Sequence, residues 1–169
     1  MENVNKALAI ESIMEGTGME KQKYAAIVLA AGSGKRMNSQ VHKQYLIIQD
    51  RPVLYYSLKE FEDSAVDEIV LVVGKGEEEF CRREIVDKYG ISKVKAIVEG
   101  GKERYHSVFE GLKQTSDADY VLIHDGARPY VSKQSINDLV ECLKTYDAGL
   151  LMVCLLYTSP SPRDGATSR

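Results

Sequence analysis

Four short apolar runs recur along this chain, and each gives way to a polar or glycine-rich break followed by a helix-like pattern. The runs are Ala25–Leu29, Glu68–Gly74 with Ile-Val-Leu-Val-Val at its centre, Val94–Val98 and Tyr120–His124. Their length and β-branched content read as strands buried on both faces. Between and after them, apolar residues fall at helical spacing: Leu54, Leu58 and Phe61; Cys81, Ile85 and Tyr89; Tyr105, Val108, Phe109 and Leu112; then Ile136, Leu139, Val140 and Leu143. Pro52 stands at the start of the first of these helices, Glu77, Glu78 and Glu79 suit the first turn of the second, Gly90 stops it, and Ser132 caps the last. Consecutive parallel strands need a crossover long enough to hold a helix, so this alternation predicts parallel pairing. The expected fold is α/β, a mostly parallel sheet with helices on both faces, in which Gly149–Val153 begins a fifth main strand and the sheet is then cut off.

In such sheets ligands lie beyond the carboxyl ends of the strands. Three chemically loaded segments fall there: residues 30–43, 99–107 and 125–129. The first contains Ala30-Ala31-Gly32-Ser33-Gly34-Lys35-Arg36-Met37, small residues and two glycines followed by two cations. Small residues let backbone N–H groups approach an anion, and glycine accepts the φ angles of a tight cradling turn. Two familiar phosphate motifs are excluded by counting. A Walker A loop needs Gly where the chain has Leu29, and a dinucleotide fingerprint needs Gly where it has Met37. The segment therefore reads as a phosphate loop of another kind, with a plain strand-to-helix turn bearing exposed cations as the alternative.

Arg36 and Lys43 would supply charge to phosphate oxygens, Arg as a planar fork and Lys as a mobile point charge. Taken alone, Lys43 reads better as a solvated surface lysine. Asp125, directly after a buried strand, is placed as an Mg²⁺ ligand, since magnesium takes one or two carboxylates together with substrate phosphates; an Asx-type cap on the next turn is the other reading. Gly100, Gly101 and Ser107 form either an approach to a nucleobase or a helix-entry turn. The three histidines, His42, His106 and His124, show neither metal-ligand spacing nor a nucleophile–base pairing.

A net charge of −3 argues against broad nucleic-acid binding. No apolar run approaches the length of a membrane span. The three cysteines, Cys81, Cys142 and Cys154, lack metal-ligand spacing and fit reduced thiols in a cytoplasmic protein. Residues 1–23 are expected to be an N-terminal lead, in which Met1–Gly18 is either disordered or lies ahead of a true start at Met19, and residues 24–153 an incomplete domain. Cys154–Asp164 spells one reading frame of a common transposon-based sequencing adapter, continued by Thr167-Ser168-Arg169, so residues 154–169 are expected to be a non-native tail.

Four motifs in order, "AAGSGKRM" from Ala30, "HKQYL" from His42, "GGKERYHSV" from Gly100 and "HDGARP" from His124, resemble the 2-C-methyl-D-erythritol 4-phosphate cytidylyltransferase family over residues 25 to 153. The resemblance implies a Rossmann-like nucleotidyltransferase domain, a homodimer in the full-length protein, and transfer of CMP from CTP to a polyol phosphate with release of pyrophosphate, a step of isoprenoid precursor synthesis. It implies that Arg36 and Lys43 stabilise the pentavalent phosphate, that Gly32 and Gly34 shape the triphosphate loop, that Ala30, Ala31, Gly101 and Ser107 surround the cytidine, and that Asp125 holds Mg²⁺. Lys102 stands where some members carry an acidic residue and is left out of the site. The ribitol-5-phosphate cytidylyltransferases share the nucleotide motifs, although they tend to place Val before the Arg of "HDGARP". A non-catalytic nucleotide-binding fragment is the third reading, for the 169-residue chain as it stands.

Overall fold

The computed structural model describes residues 22–32 and 42–151. Residues 1–21 of the expected lead, the tail over 154–169, and Gly34 and Arg36 of the predicted site lie outside the described residues. In chain order the elements are β1 (Tyr24–Leu29), a 3-10 turn over Lys43–Tyr45, β2 (Ile47–Ile48), β3 (Arg51–Pro52), α1 (Val53–Glu62), β4 (Glu68–Val73), α2 (Glu78–Cys81, continued by a π turn over Arg82–Asp87), β5 (Val94–Glu99), α3 (Arg104–Leu112), β6 (Tyr120–Asp125) and α4 (Lys133–Leu143). β2 and β3 make a small antiparallel hairpin whose corner residues Gln49 and Asp50 take φ of 48° and 67°, the left-handed pair that a two-residue type I′ turn needs.

The main sheet is parallel throughout and runs β5-β4-β1-β6. β1 is paired on both edges, Ile27 lying between Val70 of β4 and Ile123 of β6. The chain builds outward from β1 through β4 to β5, then returns to the other side of β1 with β6. That reversal opens a crevice at the carboxyl ends of β1 and β6, the usual place for a ligand in open α/β sheets.

Helices cover both faces, as the alternation predicts. On one face Ala26 and Val28 pack beneath Leu54, Leu58 and Phe61 of α1, Cys81 and Ile85 of the second helix, and Ile136, Val140 and Leu143 of α4. Every helical stripe expected there is inward-facing, and Ser132 caps α4 by accepting from Ser135 N–H at 3.1 Å. Pro52 holds the cap position of α1, and Gly90, at φ 64°, follows the second helix.

The other face, around Ile27, Val70 and Val72, is met by α3, and here one expectation fails. The stripe Tyr105, Phe109 and Leu112 points to solvent, with exposures of 67%, 59% and 41%. Ser107 and Gly111 face the sheet instead. The reason is close approach: a Cβ on Gly111 would stand 2.7 Å from Ile27 Cγ2, so the helix lies with its smallest residues against the strands. The fifth strand also fails where it can be seen, since residues 149–151 form no strand; Met152 and Val153 lie outside the described residues. Among the described residues no buried side-chain nitrogen or oxygen lacks a partner, and no helix is long and apolar enough to cross a membrane.

The α3 contact gives a first prediction. Gly111→Ala improves intrinsic helix propensity by about 1 kcal/mol, yet overpacking against Ile27 costs about 1–3 kcal/mol. A net loss of stability is expected, read as a lower denaturant midpoint with unchanged slope; a raised midpoint would show that α3 can lift off the sheet without cost.

Candidate functional site

Three backbone bonds draw the loops at the carboxyl edge together. Ala30 N–H donates to Val72 O at 2.6 Å, Gly100 N–H to Val73 O at 2.8 Å and Gly126 N–H to Leu29 O at 2.8 Å. Each loop is thus tied to the end of a neighbouring strand. Gly100 sits where the first two loops touch, because a Cβ there would lie 2.5 Å from Ala31 Cβ and 2.7 Å from Ser107 Oγ.

The loops enclose a cavity of about 690 Å³, well within the range of small-molecule sites. Ala30, Ala31, Gly32, Lys43, Gly101, Ser107 and Asp125, the predicted residues that the structure describes, all line it. Lys102, Arg104 and Arg128 line it as well, so the cations of the wall outnumber Glu103 and Asp125. A wall of this balance suits a polyanionic ligand.

Contacts place the two glycines and Asp125. Gly101 N–H donates to Ser107 Oγ at 3.1 Å, while the cap of α3 is Glu103, paired with His106 in a reciprocal capping box. The two glycines therefore precede the helix entry, and Gly101 forms part of the cavity wall. Asp125 makes no side-chain cap on the following turn. Its Oδ1 accepts from Arg104 Nη2 at 3.0 Å and Nε at 3.2 Å, and its Oδ2 lies 3.1 Å from Arg128 Nε. The carboxylate is one third exposed, between the guanidinium of Arg104 at the start of α3 and that of Arg128 in its own loop.

As a metal site, the donor set is sparse but of the right kind. No cluster of three or more His, Cys, Asp and Glu occurs among the described residues. A part-exposed carboxylate beside a cavity is a donor of the kind that hard divalent cations take, their remaining positions being filled by substrate oxygens and water.

Several residues that the sequence reading passed over prove structural to the site. Gln44 is 2% exposed, and its amide reaches back to donate to Ala30 O at 2.5 Å, with Gly32 O 3.5 Å away. It ties the turn that carries Lys43 to the first loop. Ser57, fully buried in α1, donates to Arg128 O at 3.2 Å, and His124 Nε2–H donates to the same carbonyl at 3.2 Å. Because a carbonyl only accepts, that bond fixes the proton on Nε2. Burial keeps the His124 ring below the usual histidine range, opposed by its bond to Arg128, so it is a neutral prop for the loop. Gln44 lies inside a quoted motif, which was a signal. Ser57, distant in sequence and surrounded by apolar residues, offered none.

A parallel sheet whose topological reversal carries a small-residue cradle and a ring of cations is the framework of a nucleotidyltransferase-type α/β domain, and solved structures agree. The 4-diphosphocytidyl-2C-methyl-D-erythritol synthase of Anaerococcus prevotii superposes with a TM-score of 0.61 at 30% identity, over 79% of this chain and 54% of that one. The family described as IspD, 2-C-methyl-D-erythritol 4-phosphate cytidylyltransferase, matches residues 24–158, and the chain belongs to it. Curated relatives carrying that name include one from Lachnoclostridium phytofermentans, 55% identical over 70% of this chain and 51% of its own length. Another, from Clostridium kluyveri, is 50% identical over 76% of this chain and 55% of its own. The chain therefore spans about half the length of the curated relatives it matches.

The tether through Gln44 is testable without a ligand. Gln44→Leu deprives the Ala30 carbonyl of its side-chain donor, and is expected to cost about 1–3 kcal/mol. Amide exchange at Tyr45 and Leu46, whose N–H groups bond His42 O and Lys43 O, should quicken by more than this global loss explains. Exchange that tracks global stability alone would refute the tether.

Proposed function

We propose that the whole protein transfers CMP from CTP to 2-C-methyl-D-erythritol 4-phosphate and releases pyrophosphate. The observation that supports this most directly is the convergence of Ala30, Ala31, Gly32, Lys43, Gly101, Ser107 and Asp125 on one cavity in a chain of this family. The small residues after β1 and the Gly101–Ser107 pair receive the nucleotide. Lys43, whose ammonium has no hydrogen-bond or ion-pair partner among the described residues, faces its phosphates, with Arg36 as the second cation.

The chemistry asks for little beyond this. The attacking atom is a phosphate-monoester oxygen with a second pKa of about 6, so it is largely ionised at neutral pH and needs no general base. The rate then depends on holding that oxygen in line with the α-phosphorus and on fixed positive charge where the pentavalent phosphate gathers negative charge. A divalent cation, Mg²⁺ by this reading, supplies further charge neutralisation when bound, and Asp125 is the carboxylate to hold it. Among the described residues, Arg104 and Arg128, which now pair with Asp125, would be the nearest guanidiniums to the nucleotide's phosphates. The protein acts as a cytoplasmic homodimer, with no nucleic-acid or membrane partner.

Pyrophosphate release from CTP is the test, run with methylerythritol phosphate and with ribitol 5-phosphate; the first should be consumed and the second not. Lys43→Ala should lower kcat by about 10²- to 10³-fold, the cost of one transition-state donor, with a far smaller change in CTP affinity. A change confined to affinity would remove Lys43 from the transition state, and turnover with ribitol 5-phosphate alone would overturn the substrate. Chelation of divalent cations should abolish release.

A further inference from the structure

Between β4 and α2, outside the cavity, the chain plants a carboxylate that neither the motifs nor the proposed chemistry employs. Glu77 follows the loop Gly74-Lys75-Gly76, in which Gly76 takes φ 75°, and its side chain folds back over that loop. Glu77 Oε2 accepts from Gly74 N–H at 3.0 Å and from the Tyr45 hydroxyl at 2.7 Å. Its Oε1 lies 2.8 Å from His42 Nδ1. The space is tight, since a Cβ on Gly74 would stand 2.6 Å from Oε2.

The proton inventory of this cluster closes. An ionised carboxylate only accepts, so Tyr45 spends its single proton on Glu77. The Cys81 thiol, 3.0 Å from the same hydroxyl, must then be the donor of that contact. Burial supports both assignments. It holds the Tyr45 phenol far above the ordinary tyrosine range, and pushes the Cys81 thiol up to about 11, so both keep their protons near neutrality. His42 Nδ1–H donates to Oε1 whether the ring is neutral or cationic. The cluster is therefore organised around one charge, that of Glu77, whose side chain is 20% exposed.

What it grips matters more than what it contains. His42 and Tyr45 bracket Lys43 in the 3-10 turn over Lys43–Tyr45. Gln44 fastens the same turn to the first loop on the opposite side. His42 and Tyr45 also lie in parallel at 6.2 Å, and Tyr45 meets Phe80 edge-on at 5.2 Å. Among the described residues, the side chains of His42, Gln44 and Tyr45 all have partners across the fold, and that of Lys43 has none.

We propose that Glu77 is a positioning residue for Lys43: its carboxylate, fixed just beyond β4, clasps His42 and Tyr45 on either side of the Lys43–Gln44 pair and so sets the direction from which the ammonium enters the cavity. This rests on the reading of Lys43 as the group that faces the phosphates. The clasp acts through geometry and not through its own charge on the substrate, so it belongs to kcat through Lys43 and leaves nucleotide affinity nearly unchanged.

The experiment is a double-mutant cycle on the whole protein, with exchange measurements on the 169-residue chain. Glu77→Gln should lower kcat about tenfold with KM for CTP within a factor of two, and should cause no further loss in a Lys43→Ala background, because contacting residues couple while independent ones add. Amide exchange at Tyr45 and Leu46 in the 169-residue chain should quicken about tenfold in Glu77→Gln, beyond any global loss of stability. His42→Ala, which removes one of the two grips and keeps the carboxylate, should give about a threefold loss of kcat and serves if Glu77→Gln does not fold. Additive losses in the cycle, or unchanged exchange at Tyr45 and Leu46, overturn the clasp while Lys43 keeps its role. If Lys43→Ala itself leaves kcat intact, the reading of the site fails and the clasp with it.

Discussion

β1 is hydrogen-bonded along both edges and covered on both faces, and the remaining architecture is a consequence of satisfying that position. Ala25, Ala26, Ile27 and Val28 are wholly removed from water, which is tolerable for the backbone only because β4 and β6 take up every N–H and C=O between them. With partners on both sides fixed as parallel, the chain must cross over a face after each strand, and the helices follow. The direction must also reverse once, from the β5 side to the β6 side, and that reversal leaves the crevice.

The crevice becomes a site through polar stitching more than through apolar packing. Loops after β1, β5 and β6 are each bonded to a neighbouring strand end, and the polar side chains of Gln44, Ser57 and Ser107 hold their backbones in place. Buried polar side chains with satisfied partners are costly to disturb, since removing one leaves its partner dry and unpaired. They therefore keep the cavity shaped before any ligand arrives. Charge is treated differently: the cavity-lining cations Lys43, Lys102, Arg104 and Arg128 stay near solvent, while Glu77 is kept at the back of the Lys43 turn. Asp125 is held between Arg104 and Arg128, so its charge is already matched inside the protein.

The limits of sequence reading are clearest at α3. Its apolar stripe through Tyr105, Phe109 and Leu112 has the spacing of a core face, yet these side chains are exposed. Periodicity locates an amphipathic helix but cannot weigh a large apolar stripe against a small-residue one, because only the sheet decides how closely a helix must lie. At Gly111 the distance to Ile27 decided it. The region after Leu143 shows the same limit: the run from Gly149 has the composition of a strand, but residues 149–151 form none. Composition supplies strand propensity, whereas a strand exists only with a neighbour to pair with.

The chain alone determined the alternation of buried strands and helices, the placement of its polar segments at the carboxyl edge, and the motifs that mark the family. These are local properties, set by periodicity, backbone freedom and charge within a few residues of one another. Tertiary structure alone decided which face of α3 meets the sheet and that Asp125 is clasped by Arg104 and Arg128. It also decided that Gln44, Ser57, Glu77 and His124 support the loops. Those outcomes turn on contacts such as Gly111 with Ile27, Asp125 with Arg104, Ser57 with Arg128 and Glu77 with Tyr45, between residues far apart in sequence, and no local pattern encodes such a meeting.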